Sequence, residues 1–543
     1  MSVVIKYSDI SVGSKEKFSV SQSDRLDVSN LALFKFDSIP KRYDIPLELN
    51  SMLLDGGSEF LPEEGLAEIG FITEQMSDEN GDFLDPIVCE FYSDQLTTSV
   101  GLMLTFDTEK NIYPSHINVR WYNEDVLLED ADFYPSSAIY FCDKKVEYYN
   151  RFVITFYSLN LPKSRLRMNN VDYGLKVEFK GDELIYARSI QEIDPISTSV
   201  PINTFDFSIN SKKNIDFSFQ TKQPIELIFN GEKKATTFVK RAKRRSRSVW
   251  EIQSEDYIGL MDSVYYSGGI YQDENAFRLL QDIFRVAKVP YTISSEFEDV
   301  TVSGYIPYTT CREALMQVLF AIGGVADTSN SDKVNVFSIN SEVSQNIEKN
   351  RIMQGQTFDD NTRVTAVELT SHAYLKSDDI TTLYDASQSG AGENILVVFN
   401  QPIWSLEFDN GIEVVEVGTN YALVNIASDT AKIHGKKYIH TTTVHRKENP
   451  LVLLTDVENV VSVENATLVS SNNVDNLLNL CYNFLVKTER TNMKIFDGTK
   501  QKSTKVGDFI SYETDYLGTK SGIIVKQSFS LSGGILVKDS VIR

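Results

Sequence analysis

Residues 111–128, NIYPSHINVRWYNEDVLL, and 149–159, YNRFVITFYSL, alternate apolar and polar side chains with a period of two. That period puts successive side chains on opposite faces of a strand and cannot be satisfied by a helix. The same alternation returns in YGLKVEFKGDELIYARSI, TTFVKRAKRRSRSVWEIQS and NILVVFNQPIWSLEF, separated by short turn-like clusters such as NGEK and YNED. A chain patterned in this way folds mainly as β structure. At 543 residues it exceeds one hydrophobic core and divides into several domains.

Helical periodicity breaks the pattern in three places. DENAFRLLQDIFRVAKVP predicts a helix capped by Asp273, with Ala276, Leu280, Ile283, Phe284 and Ala287 on its apolar stripe and Pro290 ending it. TTCREALMQVLFAIGG predicts a second, with Thr310 and Glu313 as a capping box, Leu315, Val318, Leu319 and Ile322 buried, and Gly323 as its stop. VDNLLNLCYNFLVKT predicts a third, carrying Leu477, Leu478, Cys481, Tyr482 and Leu485 on one face. The expected class is therefore mainly β and multidomain. Its expected parts are an N-terminal β-sandwich over 1–168, strands over 169–271, a small α/β unit over 272–330 and a connection over 331–361. Strands follow over 362–375, a β-rich insert over 376–472, a helix over 473–488 and further strands to 543. YGLKVEFKGDELIYARSI is expected to be a hairpin turning at KGDE.

Charge excludes one function class. The net charge of −23 opposes general nucleic-acid binding, which neutralises phosphates with Lys and Arg. Residues 43–109 hold sixteen Asp and Glu and no Lys or Arg, a block expected to be a solvated surface. Against this background KRAKRRSRSVW stands out, with Lys240, Arg241, Lys243, Arg244, Arg245 and Arg247 in eight positions. It falls at the predicted turn of a hairpin, where long cationic side chains reach solvent. Three readings stand beside one another: solvated decoration, docking to an acidic neighbouring subunit, and nucleic-acid contact.

Catalytic and metal signatures are weak. Cys89, Cys142, Cys311 and Cys481 lie far apart and read as buried thiols in a chain folded in a reducing cytoplasm. The start, MSVVIKYSDISVGSK, has no signal-peptide pattern, and no stretch reaches the ~18 apolar residues of a membrane span. His434, His440 and His445 are spaced H-x5-H-x4-H; on one strand the first two share a face and the third opposes them, which leaves a zinc site unclosed. DENGDFLD begins like a calcium loop with Asp78, Asn80 and Asp82, then has Phe83 in place of the needed Gly. No G-x-S-x-G, H-E-x-x-H or P-loop pattern occurs. No catalytic residue, metal or cofactor is expected. Tyr113, Trp121, Tyr122 and Tyr134 are candidates for an aromatic platform under a sugar ring, against the plainer reading as core.

Several segments, taken in order, resemble the baseplate hub family of phages and prophages of Gram-positive bacteria, also called tail-associated or minor structural proteins. WYNEDVLLEDADFYPSSAIYFCDKKVEYYNRFVITF looks like the sandwich preceding the hub, and IDPISTSVPINTFDFSI like the approach to its first barrel. WEIQSEDYIGLMDSVYYSGGIY and GYIPYTTCREALMQVLFAIGGVA are similar to the family's α/β unit. VGDFISYETDYLGTKSGIIVKQSFSLSGG resembles the closing strands of the second barrel. The resemblance covers most of the chain from about 115 onward and rests on order and spacing; the acidic first hundred residues fall outside it.

It implies two small hub-type β-barrels, one over 169–271 and one split between 362–375 and 485–543, repeated about a three-fold axis. The implied role is structural: a homotrimeric ring at the virion tail tip, non-enzymatic, made in the host cytoplasm. It would join the distal tail ring protein and other baseplate proteins to the receptor-binding apparatus around an acidic exit channel. The chain ends at Arg543 just after the second barrel, so no lytic extension is expected. Two alternatives remain open: a carbohydrate-binding adhesin whose sandwich contacts host cell-wall glycan, and a cell-wall polysaccharide hydrolase. Sequence-specific nucleic acid is not an expected partner.

Overall fold

The computed structural model of the chain describes residues 3–10, 18–24, 71–108, 110–211, 217, 219–229, 231–339, 342–352, 357–360, 362–486, 491–497, 504–514, 518–531 and 535–542. The expected acidic block 43–109 is thus described only from residue 71 onward, apart from position 109. Two compact units are formed: 4–179 with 211–225, and 180–210 with 226–543 and the first three residues.

The smaller unit is built on a seven-stranded sheet. Its order is Phe71–Ile72, Arg167–Asp172, Asp82–Phe106, Ile139–Leu159, Pro114–Asn123 and Val126–Phe133, with Phe18–Gln22 also on Asp82–Phe106. The two long strands pair antiparallel from Ile87↔Phe156 to Thr105↔Ile139, with register shifts near their middles. Those shifts bend the ladder. Residues from both of its ends, Ile87, Cys89 and Phe91 with Leu102, Leu104 and Phe106, then share one core with Ile117, Val119, Trp121 and Phe152. Gly101 sits at a shift with φ +154, and a Cβ there would come within 2.3 Å of the Cys142 carbonyl oxygen, so the bend needs glycine. Arg167 and Asp107 form a buried ion pair in this unit, Nε to Oδ2 at 3.8 Å. A second aromatic group, Tyr7, Phe179, Phe217 and Phe219, stacks apart from that core, with the Tyr7 hydroxyl donating to Gln223 Oε1.

In the larger unit the main row of strands runs Thr357–Asp360, Thr491–Asp497, Ile535–Ile542, Thr519–Leu531, Leu184–Glu192, Thr204–Asn210, Val249–Glu255 and Glu232–Arg244. The mainly β, multidomain class holds, yet none of the sheets among the described residues closes into a barrel. Closure needs the end strands of a row to hydrogen-bond each other, and among the described residues no ladder joins Thr357–Asp360, at one end of the row, to the strand at its other end, which lies beyond Glu232–Arg244. The expected hairpin at KGDE is also corrected. Leu184–Glu192 takes Thr204–Asn210 on one edge and Thr519–Leu531 on the other. The strand expected to open a second barrel at 362–375 lies within Ala366–Asp385. Among the described residues it pairs with Lys432–Glu448 and Val460–Val463 and not with strands beyond 485, because Lys432–Glu448 alone offers sixteen cross-strand partners in one long ribbon.

The helices follow their periodicity. Ala276–Ala287 and Cys311–Ile322 pack around Leu280, Ile283, Phe284, Leu315 and Val318, all fully buried. The second is capped by Thr310, whose hydroxyl accepts from the Glu313 amide at 3.2 Å, and ends on Gly323 at φ +67. The first is capped by Asn275, with its carboxamide oxygen accepting from the Arg278 amide at 2.9 Å, and not by Asp273. The Asp273 carboxylate is engaged elsewhere, accepting from the Ser303 hydroxyl and the Asn472 carboxamide, both at 3.1 Å. The helix Val474–Leu485 buries Leu477, Cys481, Tyr482 and Leu485 as expected. A three-stranded sheet of Gly392–Val398, Tyr421–Ile426 and Ile412–Val417 completes the unit. No helix among the described residues is long and apolar enough to cross a membrane.

Candidate interaction surfaces

The basic residues gather where the alternation puts them. Glu232–Arg244 and Val249–Glu255 form an antiparallel hairpin, and the chain turns over 245–248. Lys240, Arg241, Lys243, Arg244, Arg245 and Arg247 are all exposed. The tip is shaped by its own cations. The Arg244 guanidinium donates to the Ser246 and Arg247 carbonyls at 3.2 and 2.9 Å and lies 5.1 Å from the Trp250 ring centroid. Arg245 pairs with Glu251 at 2.7 Å, and Lys240 with Glu255 at 2.6 Å. The hydrogen bond from Arg245 holds the Glu251 carboxyl below its ordinary range. The hairpin thus presents a preorganised cationic surface.

The four aromatic candidates are not brought together. Trp121 is 0% exposed, in the core with Ile117 and Val119. Tyr113 is partly buried against the same core. Tyr122 faces the other way and lies under the Arg151 guanidinium, 4.3 Å from its ring centroid. Tyr134 is 66% exposed.

Around Tyr134 is an arrangement that the sequence alone did not single out. The His116 ring is sandwiched between Tyr134 and Tyr157, with centroids 5.0 and 4.6 Å away. Its Nε2 lies 3.1 Å from Asp132 Oδ1, and this bond lowers the Asp132 carboxyl below its usual range. Asn118 donates to Asp130 and Asp132 at 2.7 and 3.3 Å and accepts from Arg120 Nε at 3.1 Å. His116, Asn118 and Arg120 recur every second residue, so one sheet face carries this hydrogen-bonding ladder beside an exposed tyrosine.

Among the described residues no three His, Cys, Asp or Glu side chains converge on a point where a metal could sit. The histidines of the long ribbon take separate partners: His434 with Thr382 at 3.2 Å, His440 with His372 at 2.9 Å, and His445 with Ser371 at 2.9 Å. Burial, and then the nearby His440, hold the His372 imidazole below its ordinary range. The Asp78 carboxylate is already engaged by the amides of Asn80 and Asp82, at 2.7 and 2.9 Å, as a turn. All four cysteines are free and buried, and burial pushes their thiols up.

A second arrangement not foreseen from the sequence lies inside the larger unit. Asp256 and Asp327 are both buried and joined through one polar network. Asp256 accepts from the Gly259 amide at 3.1 Å and from the Thr328 hydroxyl at 2.6 Å. Asn203 donates to Thr328 at 2.8 Å and to Asp327 at 3.3 Å, and Ser329 donates to Asp327 at 2.7 Å. Desolvation raises both carboxyls, Asp256 to about 7. The network fixes the short helix Tyr257–Met261 to the strand Gly324–Asp327.

No family model matches the chain, and no curated protein matches it. Among solved structures it is similar to a tail protein from Neisseria meningitidis MC58, with 11% identity over 68% of this chain and 94% of that one, at TM-score 0.44. It is similar to a 43 kDa tail protein of prophage MuSo2 from Shewanella oneidensis, with 8% identity over 68% and 95% of the two chains, at TM-score 0.42. It is also similar to prophage tail protein gp18 from Listeria monocytogenes EGD-e, with 11% identity over 67% and 91%, at TM-score 0.36.

Proposed function

We propose that this chain is a non-enzymatic structural subunit of a phage tail tip, a hub that assembles as a three-fold ring between the distal tail and the receptor-binding apparatus. What supports the reading most is the ladder between Leu184–Glu192 and Thr519–Leu531, from Arg188↔Ser530 to Glu192↔Lys526. It is reinforced by the Lys526–Glu192 ion pair at 2.6 Å. Leu184–Glu192 lies in the stretch expected to form the first hub barrel and Thr519–Leu531 in the segment that resembles the closing strands of the second, and they pair although more than three hundred residues separate them. A ring made of such walls needs only modest contacts, because each recurs at every subunit. The acidic balance suits a channel through which DNA passes without adhering.

The cationic hairpin tip serves in this reading as the contact to an acidic neighbour, where charge complementarity fixes register and speeds association. Co-sedimentation with the distal tail ring protein tests it. Wild type is expected to bind at about 50 mM salt and much less at about 500 mM, since the Debye length shrinks over that range. Arg244→Glu/Arg245→Glu/Arg247→Glu is expected to lose binding at the lower salt while keeping its melting temperature. Undiminished binding by that variant removes the tip from the interface.

A second reading, a glycan-binding adhesin, draws on the exposed Tyr134 beside the Asn118–Asp132 ladder, since an open aromatic face flanked by fixed polar groups suits a sugar ring. Binding of cell-wall polysaccharide by the full chain, lost in Tyr134→Ala, would favour it.

A further inference from the structure

The helix Ala276–Ala287 buries Leu279, Leu280, Ile283 and Phe284 against the core of its unit. A groove of about 470 Å³ opens on its outer side, lined by Arg278, Gln281, Arg285, Lys288 and Tyr291 among others. The first four of these recur three or four residues apart and so stand on one face. The floor is apolar: Phe284 is fully buried, and the Tyr291 ring stacks on it with centroids 5.0 Å apart. Asp282, which also lines the groove, is already engaged, pairing with Arg285 and accepting from the Tyr266 hydroxyl at 3.0 Å. The side chains of Arg278, Gln281 and Lys288 have no hydrogen-bond or ion-pair partner among the described residues.

Both unpartnered cations stand where the helix itself favours another residue. Arg278 is in the first turn, which holds no acidic residue, and a cation there meets the positive end of the macrodipole. Lys288 closes the helix in the left-handed conformation at φ +55, a place that glycine fills with least strain. Departures from local preference of this kind gather where a sequence serves function.

The groove is open, with the Arg285 side chain 81% exposed, whereas a small-molecule site encloses most of its ligand. A ligand held here needs several points of contact. At 1.5 Å per residue, Arg278 and Arg285 lie about 10 Å apart along the axis, with the neutral Gln281 between them. A nucleic-acid strand spaces its charges about every 3.4 Å and would approach a chain of net charge −23. Carboxylates one or two helical turns apart on a protein match the wider spacing.

We infer that this groove docks an acidic segment of a different protein, with Asp or Glu side chains received by Arg278, Arg285 and Lys288. Gln281 and the Tyr291 ring face the stretch between those carboxylates. Guanidinium forks suit carboxylates, and three cations in a row fix the register of the bound segment. Neither the ring nor the hairpin tip is needed for this contact.

The test uses the full-length protein and a fluorescein-labelled twelve-residue peptide, blocked at both ends, with glutamates alternately three and four residues apart on an alanine–glutamine background. By fluorescence anisotropy, wild type is expected to bind it at about 50 mM salt and to release it at about 500 mM. Arg278→Glu/Lys288→Glu is expected to bind it at least about tenfold more weakly, and to bind the same peptide carrying lysine for glutamate, which wild type does not. Gained binding of the lysine peptide also shows that the variant is folded. Equal binding of the glutamate peptide by wild type and variant, or none by wild type, overturns the inference. Loss of binding in Arg244→Glu/Arg245→Glu/Arg247→Glu but not in the groove variant overturns it in favour of the hairpin tip. Displacement of the peptide by inorganic polyphosphate at a lower charge concentration than by polyglutamate overturns it in favour of a phosphate polymer. An oligomer of the chain that Arg278→Glu/Lys288→Glu dissociates overturns it in favour of a second copy.

Discussion

Replacing Asp256 with Asn tests how the larger unit handles a carboxyl removed from water. Asp256 is fully buried, and desolvation raises its pKa from 3.8 to about 7 against the opposing hydrogen bonds from Thr328 and Gly259. Between those two values the folded state holds a proton that the unfolded state releases. Stability from this group is therefore complete below the unfolded pKa and is lost as pH rises through the folded one. Integrated from about pH 5.5 to about pH 7.5, the loss is about 2 kcal/mol. Asp256→Asn keeps an oxygen for the Gly259 amide and removes the titration. Comparing the two proteins at both pH values cancels the titrating groups that do not interact with Asp256, and Asp327, which does, is replaced by Asn in both. The assay is urea unfolding of the larger unit, followed by Trp250 and Trp404 emission in a Trp121→Phe background. The stability gap between variant and wild type should shift by about 2 kcal/mol in favour of Asn between the two pH values. An unchanged gap refutes the account, because it would mean that Asp256 stays charged in the folded chain.

Asp107→Ala in the smaller unit should cost about 3–5 kcal/mol in denaturant unfolding, the usual cost of removing one side of a buried ion pair. Trp121→Ala should cost about 3–5 kcal/mol by the same measurement, because its ring is core. Tyr134→Ala should leave the transition in place, its ring lying on the surface against His116. Leu315→Ala in the helix Cys311–Ile322 should cost about 2–5 kcal/mol in the larger unit.

Local signals read from the sequence hold where structure is decided locally. The helix Cys311–Ile322 carried its cap, stripe and stop within sixteen residues, and all three are in place. The cationic hairpin was legible for the same reason: its two strands adjoin and their alternation continues through the turn. Partners far along the chain were not legible. Nothing in LIYARSIQE says that its neighbour is Thr519–Leu531 rather than the adjacent Gly174–Lys180, because either has the alternation a partner needs. The aromatic platform failed on a rule the sequence did contain. Trp121 and Tyr122 are adjacent on a strand and must face opposite ways, so only one of them could meet a ligand. The exposed run Leu451–Leu454 drew no reading from the sequence, because an apolar run gives no sign of whether it will be buried. The Asp256 network left no motif, since hydrogen-bonded members such as Asn203 and Thr328 lie 125 residues apart.

The central claim is that copies of this chain close into a ring, and the native mass of the full-length protein tests it most directly. Measured by light scattering, alone and with the distal tail ring protein, it should correspond to three chains of 61.4 kDa in at least one condition. A particle that stays at 61.4 kDa in both, at every concentration reached, contradicts the account.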